Sequence, residues 1–319
     1  MPLALAESWI WDFWLVADAG AVHVFFLKAP RSLGNPHLRH WHATIGHAVS
    51  TDLVRWDLLP DALGPGEPGA WDDLAVWTGS VIRDERCWHM LYTGTRRSEQ
   101  GVVQRIGRAT SDDLTEWRRH DGGPVLEVDR RWYESLDLQL WHDQAWRDPW
   151  LTRDPDGGFH AYITARSANG GEPGERGVVG HARSPDLLEW QVLPPVTEPM
   201  GFGQMEVPQV LSVAGRFYLV FSSDAGTQHP RRRPALSGTG TYYLVGDSPL
   251  GPFRPETLGV LEADDTGTSY AGKLFDLDGE LVFLAWANVH PAAGFAGHLN
   301  DPRPVAVAAN GRLSVGGAR

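Results

Sequence analysis

Apolar residues along this chain come in short runs built from β-branched and aromatic side chains. Val22-His23-Val24-Phe25-Phe26 is followed by Trp88-His89-Met90-Leu91-Tyr92, Phe159-His160-Ala161-Tyr162-Ile163, Phe217-Tyr218-Leu219-Val220-Phe221 and Leu281-Val282-Phe283-Leu284-Ala285. Several follow a tight-turn signal such as Asp156-Gly157-Gly158 or Asp278-Gly279, so each run predicts a β-strand entered from a turn. No segment sustains the 3.6-residue period of a long helix. The pattern predicts an all-β protein.

A second pattern orders these strands. His47-Ala48-Val49-Ser50-Thr51-Asp52-Leu53-Val54-Arg55-Trp56 has relatives in Arg108-Ala109-Thr110-Ser111-Asp112-Asp113-Leu114-Thr115-Glu116-Trp117 and His181-Ala182-Arg183-Ser184-Pro185-Asp186-Leu187-Leu188-Glu189-Trp190. A shorter copy reads Val245-Gly246-Asp247-Ser248-Pro249-Leu250-Gly251-Pro252-Phe253. The equivalent residues Ala48, Ala109, Ala182 and Gly246 lie 61, 73 and 64 residues apart. Periods of this length mark radial repetition of one supersecondary unit. Five units of roughly 60–70 residues, each with four antiparallel strands, predict a five-bladed β-propeller. Asp52, Asp113 and Asp186 recur with the repeat and are expected to cap its turns. The terminal segment Pro304-Val305-Ala306-Val307-Ala308 is expected to close the ring by pairing with strands near the other end. The repeat runs nearly end to end without a linker, so residues 1–319 read as one propeller catalytic domain with no β-sandwich after it.

Composition narrows the function. A hydrophobic content of 42% supports a substantial core, and 36 Gly with 23 Pro imply many turns. Fifteen Trp is far above ordinary usage; some are expected in blade packing, and Trp exposed in a cleft is a platform for sugar rings. A net charge of −12 argues against nucleic acid or an anionic membrane as partner. The one basic cluster, Arg231-Arg232-Arg233, reads as a solvated loop. Cys87 is the single cysteine, which excludes an internal disulfide. The N-terminal residues lack a basic leader, and no apolar run reaches about 20 residues, so a cytoplasmic location is expected. Oligomeric state stays open. His40 and His42, in Arg39-His40-Trp41-His42, share one face if the segment is a strand. No third ligand follows nearby, so they are expected to line a pocket, and neither a metal nor a cofactor is implied.

Inner strands of a propeller begin around one end of its axis, so acids at matched positions in different blades meet there. Three stand in marked settings: Asp12 in Trp9-Ile10-Trp11-Asp12-Phe13-Trp14, Asp148 in Trp146-Arg147-Asp148-Pro149-Trp150, and Glu206 in Gln204-Met205-Glu206-Val207-Pro208-Gln209. A carboxylate among Trp and apolar residues needs a partner, and any one alone reads as a salt-bridged structural acid. Together they match glycoside hydrolysis, where one carboxylate attacks or activates water and another protonates the leaving oxygen. Trp9 and Trp11 flank Asp12 and are candidates to stack on a sugar ring. Trp77, Thr78 and Ser80, on the second inner strand, suit sugar binding or blade packing equally. Gln204 is expected at the rim.

The chain resembles the propeller module of glycoside hydrolase families 32 and 68, the invertases, fructanases and fructan-forming enzymes. The resemblance rests on His47 through Trp56 with Leu59-Pro60-Asp61-Ala62-Leu63, on Trp77-Thr78-Gly79-Ser80-Val81, on Arg147-Asp148-Pro149 and on Glu206-Val207-Pro208, where the family motif has Cys in place of Val. Ser269-Tyr270-Ala271, Pro302-Arg303-Pro304 and Gly311-Arg312-Leu313 echo the last blade. It implies a nucleophile in Asp12, a general acid and base in Glu206 with its pKa held up by an apolar, acid-rich site, and a ring-binding, transition-state-stabilising Asp148 supported by Arg147. Tyr270 would contact substrate. Retention of configuration would place the carboxyls of Asp12 and Glu206 about 5–6 Å apart. Trp11-Asp12-Phe13-Trp14 is closer to the Trp-Asp-x-Trp of family 68 than to the Asn-Asp-Pro-Asn of family 32. Leu27 stands where a Gln often ends the next strand, and Thr268 replaces the Asp of the last-blade motif.

The resulting expectation is a retaining β-fructofuranosidase-like hydrolase acting on a small carbohydrate. Fructosyl transfer, an arabinofuranosidase-type furanosidase akin to family 43, and a non-catalytic sugar-binding propeller are the alternatives. Loops Gly64-Pro65-Gly66-Glu67-Pro68-Gly69 and Thr227-Gln228-His229-Pro230 are expected to wall the pocket into a blind funnel and impose exo action.

Overall fold

The five apolar runs each become the second strand of an antiparallel blade, and they are buried along nearly their whole length between neighbouring blades. That two-sided burial is why they read as continuous apolar runs rather than as strict alternation. The computed structural model describes residues 2–229 and 238–317, so the Arg231-Arg232-Arg233 cluster lies outside the described residues.

Blade one holds β1 (Ser8–Asp18), β2 (Ala21–Pro30), β3 (Thr44–Ser50) and β4 (Asp57–Leu63). Blade two holds β5 (Ala75–Arg83), β6 (Trp88–Thr95), β7 (Gln104–Ser111) and β8 (Arg118–Arg119). In blade three are β9 (Trp146–Arg153), β10 (Phe159–Arg166), β11 (Gly177–Ser184) and β12 (Gln191–Leu193). Blade four has β13 (Glu206–Val213), β14 (Arg216–Ser223), β15 (Thr239–Gly246) and β16 (Gly259–Asp264). Blade five has β17 (Ser269–Leu277), β18 (Glu280–His290), β19 (Gly294–Leu299), β20 (Arg303–Val307) and β21 (Leu313–Val315). Its third-strand position is shared by two pieces: β19 pairs with Trp286–His290 of β18, and β20 with Val282 and Phe283. The architecture is the five-bladed, all-β propeller that the repeat predicts.

Ring closure differs from the expectation. Segment 304–308 does not reach the N-terminal strands; β20 pairs inside its own blade with β18 and β21. The ends meet instead through a bridge between Leu3 and Leu299 and through packing of β1 on β19. Blade five completes its sheet from contiguous chain, which leaves β20 no free edge to offer.

The repeated Ser-x-Asp-Leu segments are the turns between third and fourth strands. In blade three Ser184 Oγ accepts the N–H of Asp186 (3.2 Å) and Leu187 (2.8 Å). Asp186 Oδ1 accepts the N–H of Leu188 (2.9 Å) and Glu189 (3.0 Å). Asp52 and Asp113 cap the same donors in blades one and two. The following Leu53, Leu114 and Leu187 take left-handed backbone (φ 58°, 67° and 64°), and their side chains are buried in the core. The caps hold a strained leucine in place so that it can fill the core. Asp186→Ala is expected to cost about 1 kcal/mol, because two N–H groups revert to water at the surface. Urea denaturation checks this, and an unchanged midpoint would rule the capping role out.

One irregularity recurs in every blade and positions the site. Each inner strand (β1, β5, β9, β13 and β17) slips register against its second strand, at Asp12, Thr78, Asp148–Pro149, Val207–Pro208 and Ala271–Gly272 respectively. Asp12, Asp148, Val207 and Ala271 have positive φ (25°, 58°, 50° and 49°). A bulge bends the strand and re-aims the side chains beside it. Here five bulges lie around one axis.

Candidate active site

The bulges bring Asp12, Asp148 and Glu206 to the wall of one cavity of about 410 Å³, within the size range of small-molecule sites. Three blades supply the acids, and the other two supply the groups that hold Asp12. Thr78 Oγ1 donates to Asp12 Oδ2, and Trp286 Nε1 donates to Asp12 Oδ1, both at 3.1 Å. Burial, followed by the charges of Asp148 and Glu206, pushes the Asp12 carboxyl up to about 7. Thr78 and the Arg39 guanidinium pull the other way.

Glu206 is held from two sides. Arg147 donates to Oε1, and the Tyr270 hydroxyl donates to Oε2. Arg147 also donates to Gln104 Oε1 (3.1 Å) and Asp143 Oδ2 (3.2 Å) and lies 3.5 Å from Asp148. One guanidinium therefore spaces three carboxylates, as a planar fork of donors can. Asp148 is buried; its Oδ2 accepts from Thr164 Oγ1 (2.8 Å) and from the N–H of Val207 (3.2 Å). Burial raises its carboxyl above the ordinary range, and Arg147 opposes that rise.

Trp11, Trp77, Thr78, Arg147, Gln204 and Tyr270 all line the cavity. Trp77 is fixed by its Nε1 donating to the carbonyl of His40 (2.6 Å), and Gln204 donates to Asp143 at 3.4 Å. Two expected residues do not line it. Trp9 is covered by β19, with the Phe295 ring edge-on at 6.2 Å and Arg31 5.8 Å from its face. Ser80 Oγ accepts the N–H of Leu151 (2.9 Å) and so ties blade two to blade three.

The walls also differ from expectation. Neither Gly64–Gly69 nor Thr227–His229 lines the cavity, and Pro230 lies outside the described residues. The wall comes from Arg39, His40 and Trp41 in the connection between β2 and β3, from Gln100–Val102 between β6 and β7, and from His142 and Asp143 ahead of β9. Arg39-His40-Trp41-His42 is the end of a 3-10 helix, Pro36–His42, rather than a strand. His40 turns to the cavity, where burial keeps its imidazole neutral; His42 accepts no such place and bonds the Leu38 carbonyl at 2.9 Å.

Arg39 and Trp286 are among the cavity residues that sequence reasoning missed, with Gln104, Asp143 and Asp224. Trp286 ends an apolar run that reads as core, and Arg39 sits in a segment whose two histidines draw the attention. The Arg39 guanidinium lies 5.5 Å from the Trp11 ring and 4.2 Å from the Phe295 ring. Away from the cavity, Asp84, Cys87 and His89 have metal-like spacing. Arg108 donates to His89 Nδ1 at 3.0 Å, which leaves the ring proton on Nε2 facing Asp84 Oδ2 at 3.0 Å. With that proton in place Nε2 has no lone pair for an ion.

Residues 13–313 match the family model described as glycosyl hydrolases family 32 N-terminal domain. Among curated relatives, the chain is 28% identical to a β-fructofuranosidase, insoluble isoenzyme 7, of Oryza sativa subsp. indica, over 92% of this chain and 50% of the relative. It is 26% identical to a raffinose invertase of Escherichia coli, over 91% of this chain and 58% of that one. The chain thus spans about half the length of the curated relatives it matches. Among solved structures it superposes on an inulosucrase from Halalkalicoccus jeotgali bound to kestose, with a TM-score of 0.80 and 25% identity, covering 98% of this chain and 87% of that one.

Proposed function

The chain belongs to glycosyl hydrolase family 32, and on that premise we propose that it is a retaining, exo-acting β-fructofuranosidase-like hydrolase of small fructosides. The observation that carries this reading is the pair Asp12 and Glu206, each held by two donors, on the wall of one small cavity that Asp148 also lines.

In the first step Asp12 attacks the anomeric carbon while Glu206 gives a proton to the departing oxygen. The glycosidic C–O bond breaks as an ester bond to Asp12 forms. In the second, Glu206 takes a proton from water, which displaces Asp12 and restores the configuration. Thr78 and Trp286 orient the attacking carboxylate. Asp148 accepts from ring hydroxyls and faces the positive charge that develops on the ring, and Arg147 bridges Glu206, Asp148 and Asp143. Asp12, Asp143, Asp148, Glu206 and Asp224 outnumber Arg39 and Arg147 around the cavity, which favours an uncharged sugar over a phosphorylated one.

The test is a panel of sucrose, raffinose, 1-kestose and long inulin, with products followed by NMR in the presence of methanol. The expected products are fructose from the first turnover and methyl β-fructofuranoside as the trapped product. Methyl α-fructofuranoside would exclude retention, and a spread of inulin fragments before any fructose would exclude exo action. A second reading, fructosyl transfer, draws on the similarity to the inulosucrase. Growth of fructo-oligosaccharides at high sucrose, exceeding release of free fructose, would favour it.

A further inference from the structure

One buried charge near the acids has no role in the steps above. Lys273, on the inner strand of blade five, is 2% exposed, and its ammonium lies 5.4 Å from the Trp150 ring. Lys273 Nζ donates to the carbonyl of Val207 at 2.5 Å and sits 3.5 Å from that of Pro208. These carbonyls belong to the bulge of β13, where the ladder to β14 breaks between Glu206 and Gln209. Pro208 has no N–H, and the N–H of Val207 is directed to Asp148 and Thr164 instead of to the ladder.

Val207 holds φ at 50°, which is unfavourable for a β-branched residue and persists only where its surroundings over-determine it. Asp148 and Thr164 hold its N–H side, and Lys273 holds its carbonyl side. Glu206 is the adjacent residue, so the setting of the Val207 backbone sets where the Glu206 carboxyl starts. We propose that Lys273 is a positioning residue for the reaction: by clamping the Val207–Pro208 bulge from blade five it aims Glu206 at the leaving oxygen, and its positive charge favours the ionised forms of Asp12 and Asp148.

The surroundings are consistent with both halves. The charges that act on Lys273 are Asp148 from β9 and Asp12 from β1. The cavity beside them is lined by Arg39, Asp143, Arg147, Glu206, Asp224 and, from Lys273's own strand, the titratable Tyr270. Blade two offers Thr78, which does not titrate in this range. Burial pushes the ammonium down to about 7, and Asp148 and Asp12 hold it up. A lysine is suited to this place because its compact head carries three donors and a charge, whereas a neutral amide would supply the donor alone.

The inference rests on the glycosidase reading, and two variants test it. Lys273→Met removes donor and charge; Lys273→Gln keeps a donor. For Lys273→Met, kcat on sucrose is expected to fall about 10–100-fold with KM changed less than about threefold, the mark of lost transition-state alignment. The loss should be smaller for an aryl fructoside, whose leaving group needs little protonation. The acid limb of kcat/KM should move up by about half a unit or more, because Asp12 then ionises with Arg39 but without the Lys273 charge. Lys273→Gln should recover part of kcat but keep the displaced acid limb. A folded Lys273→Met protein, or Lys273→Gln if the former does not fold, with wild-type kcat and acid limb would overturn the proposal, even if its Tm were lower. Wild-type protein inert on every fructoside would instead sink the glycosidase reading itself.

Discussion

Asp12→Asn is expected to lower turnover by at least about 10⁴-fold on sucrose and on aryl fructosides alike, since the amide cannot form the covalent intermediate that both require. The same change should make the protein more stable at high pH. Asp12 rises from 3.8 to about 7 on folding, so the folded state favours the neutral carboxyl. Its contribution to stability is full below the unfolded value and is lost as pH rises through about 7. At pH 8 the ionised carboxylate costs about 2–4 kcal/mol at about 1.4 kcal/mol per unit, toward the lower end because the cavity admits water. Asn stays neutral there. The expected result is a Tm several degrees above wild type at pH 8 and no difference near pH 4. In wild type, kcat/KM should fall as pH drops through about 7, as the attacking carboxylate becomes protonated. A wild-type acid limb below pH 4, with no Tm difference at pH 8, would show that Asp12 does not carry this burden.

The second large effect is Glu206→Gln. Loss of proton donation and of base catalysis is expected to reduce kcat on sucrose by about 10²–10⁴-fold, with the protein folded and still able to bind. An aryl fructoside should lose at least about tenfold less in its first step, because its leaving oxygen departs without a proton. Azide, a nucleophile that needs no base, should restore turnover of the aryl substrate and give a fructosyl azide. Equal losses on sucrose and aryl substrate, without azide rescue, would remove Glu206 from the acid–base role. Gln keeps one acceptor oxygen for Arg147 and turns its amide N–H to the Tyr270 hydroxyl, which can accept, so the change removes the proton and keeps the packing.

Much of this protein is local and was therefore legible in the sequence. A second strand pressed between two blades must be apolar on both faces, so the five runs announce themselves. A Ser and an Asp that must cap the same backbone donors recur at the same spacing in three blades. The period follows from these, and with it the propeller. Asp12, Asp148 and Glu206 were visible because each stands among residues that water would not surround. What neighbouring blades do to one another could not be read from either. Trp9 and Trp11 have the same parity on β1, yet β19 covers one and the cavity takes the other. Ser80 resembles a rim residue but spends its oxygen on the backbone of blade three. Segment 304–308 has the composition of a closing strand, but its partners stand beside it in the same blade. Trp286 meets Asp12 from 274 positions away, and Lys273 meets Val207 from 66. Alternation and turn chemistry act over a few residues and determine the blades. Which side chains face the axis depends on five bulges and on the contacts between blades, and only the closed ring brings those together.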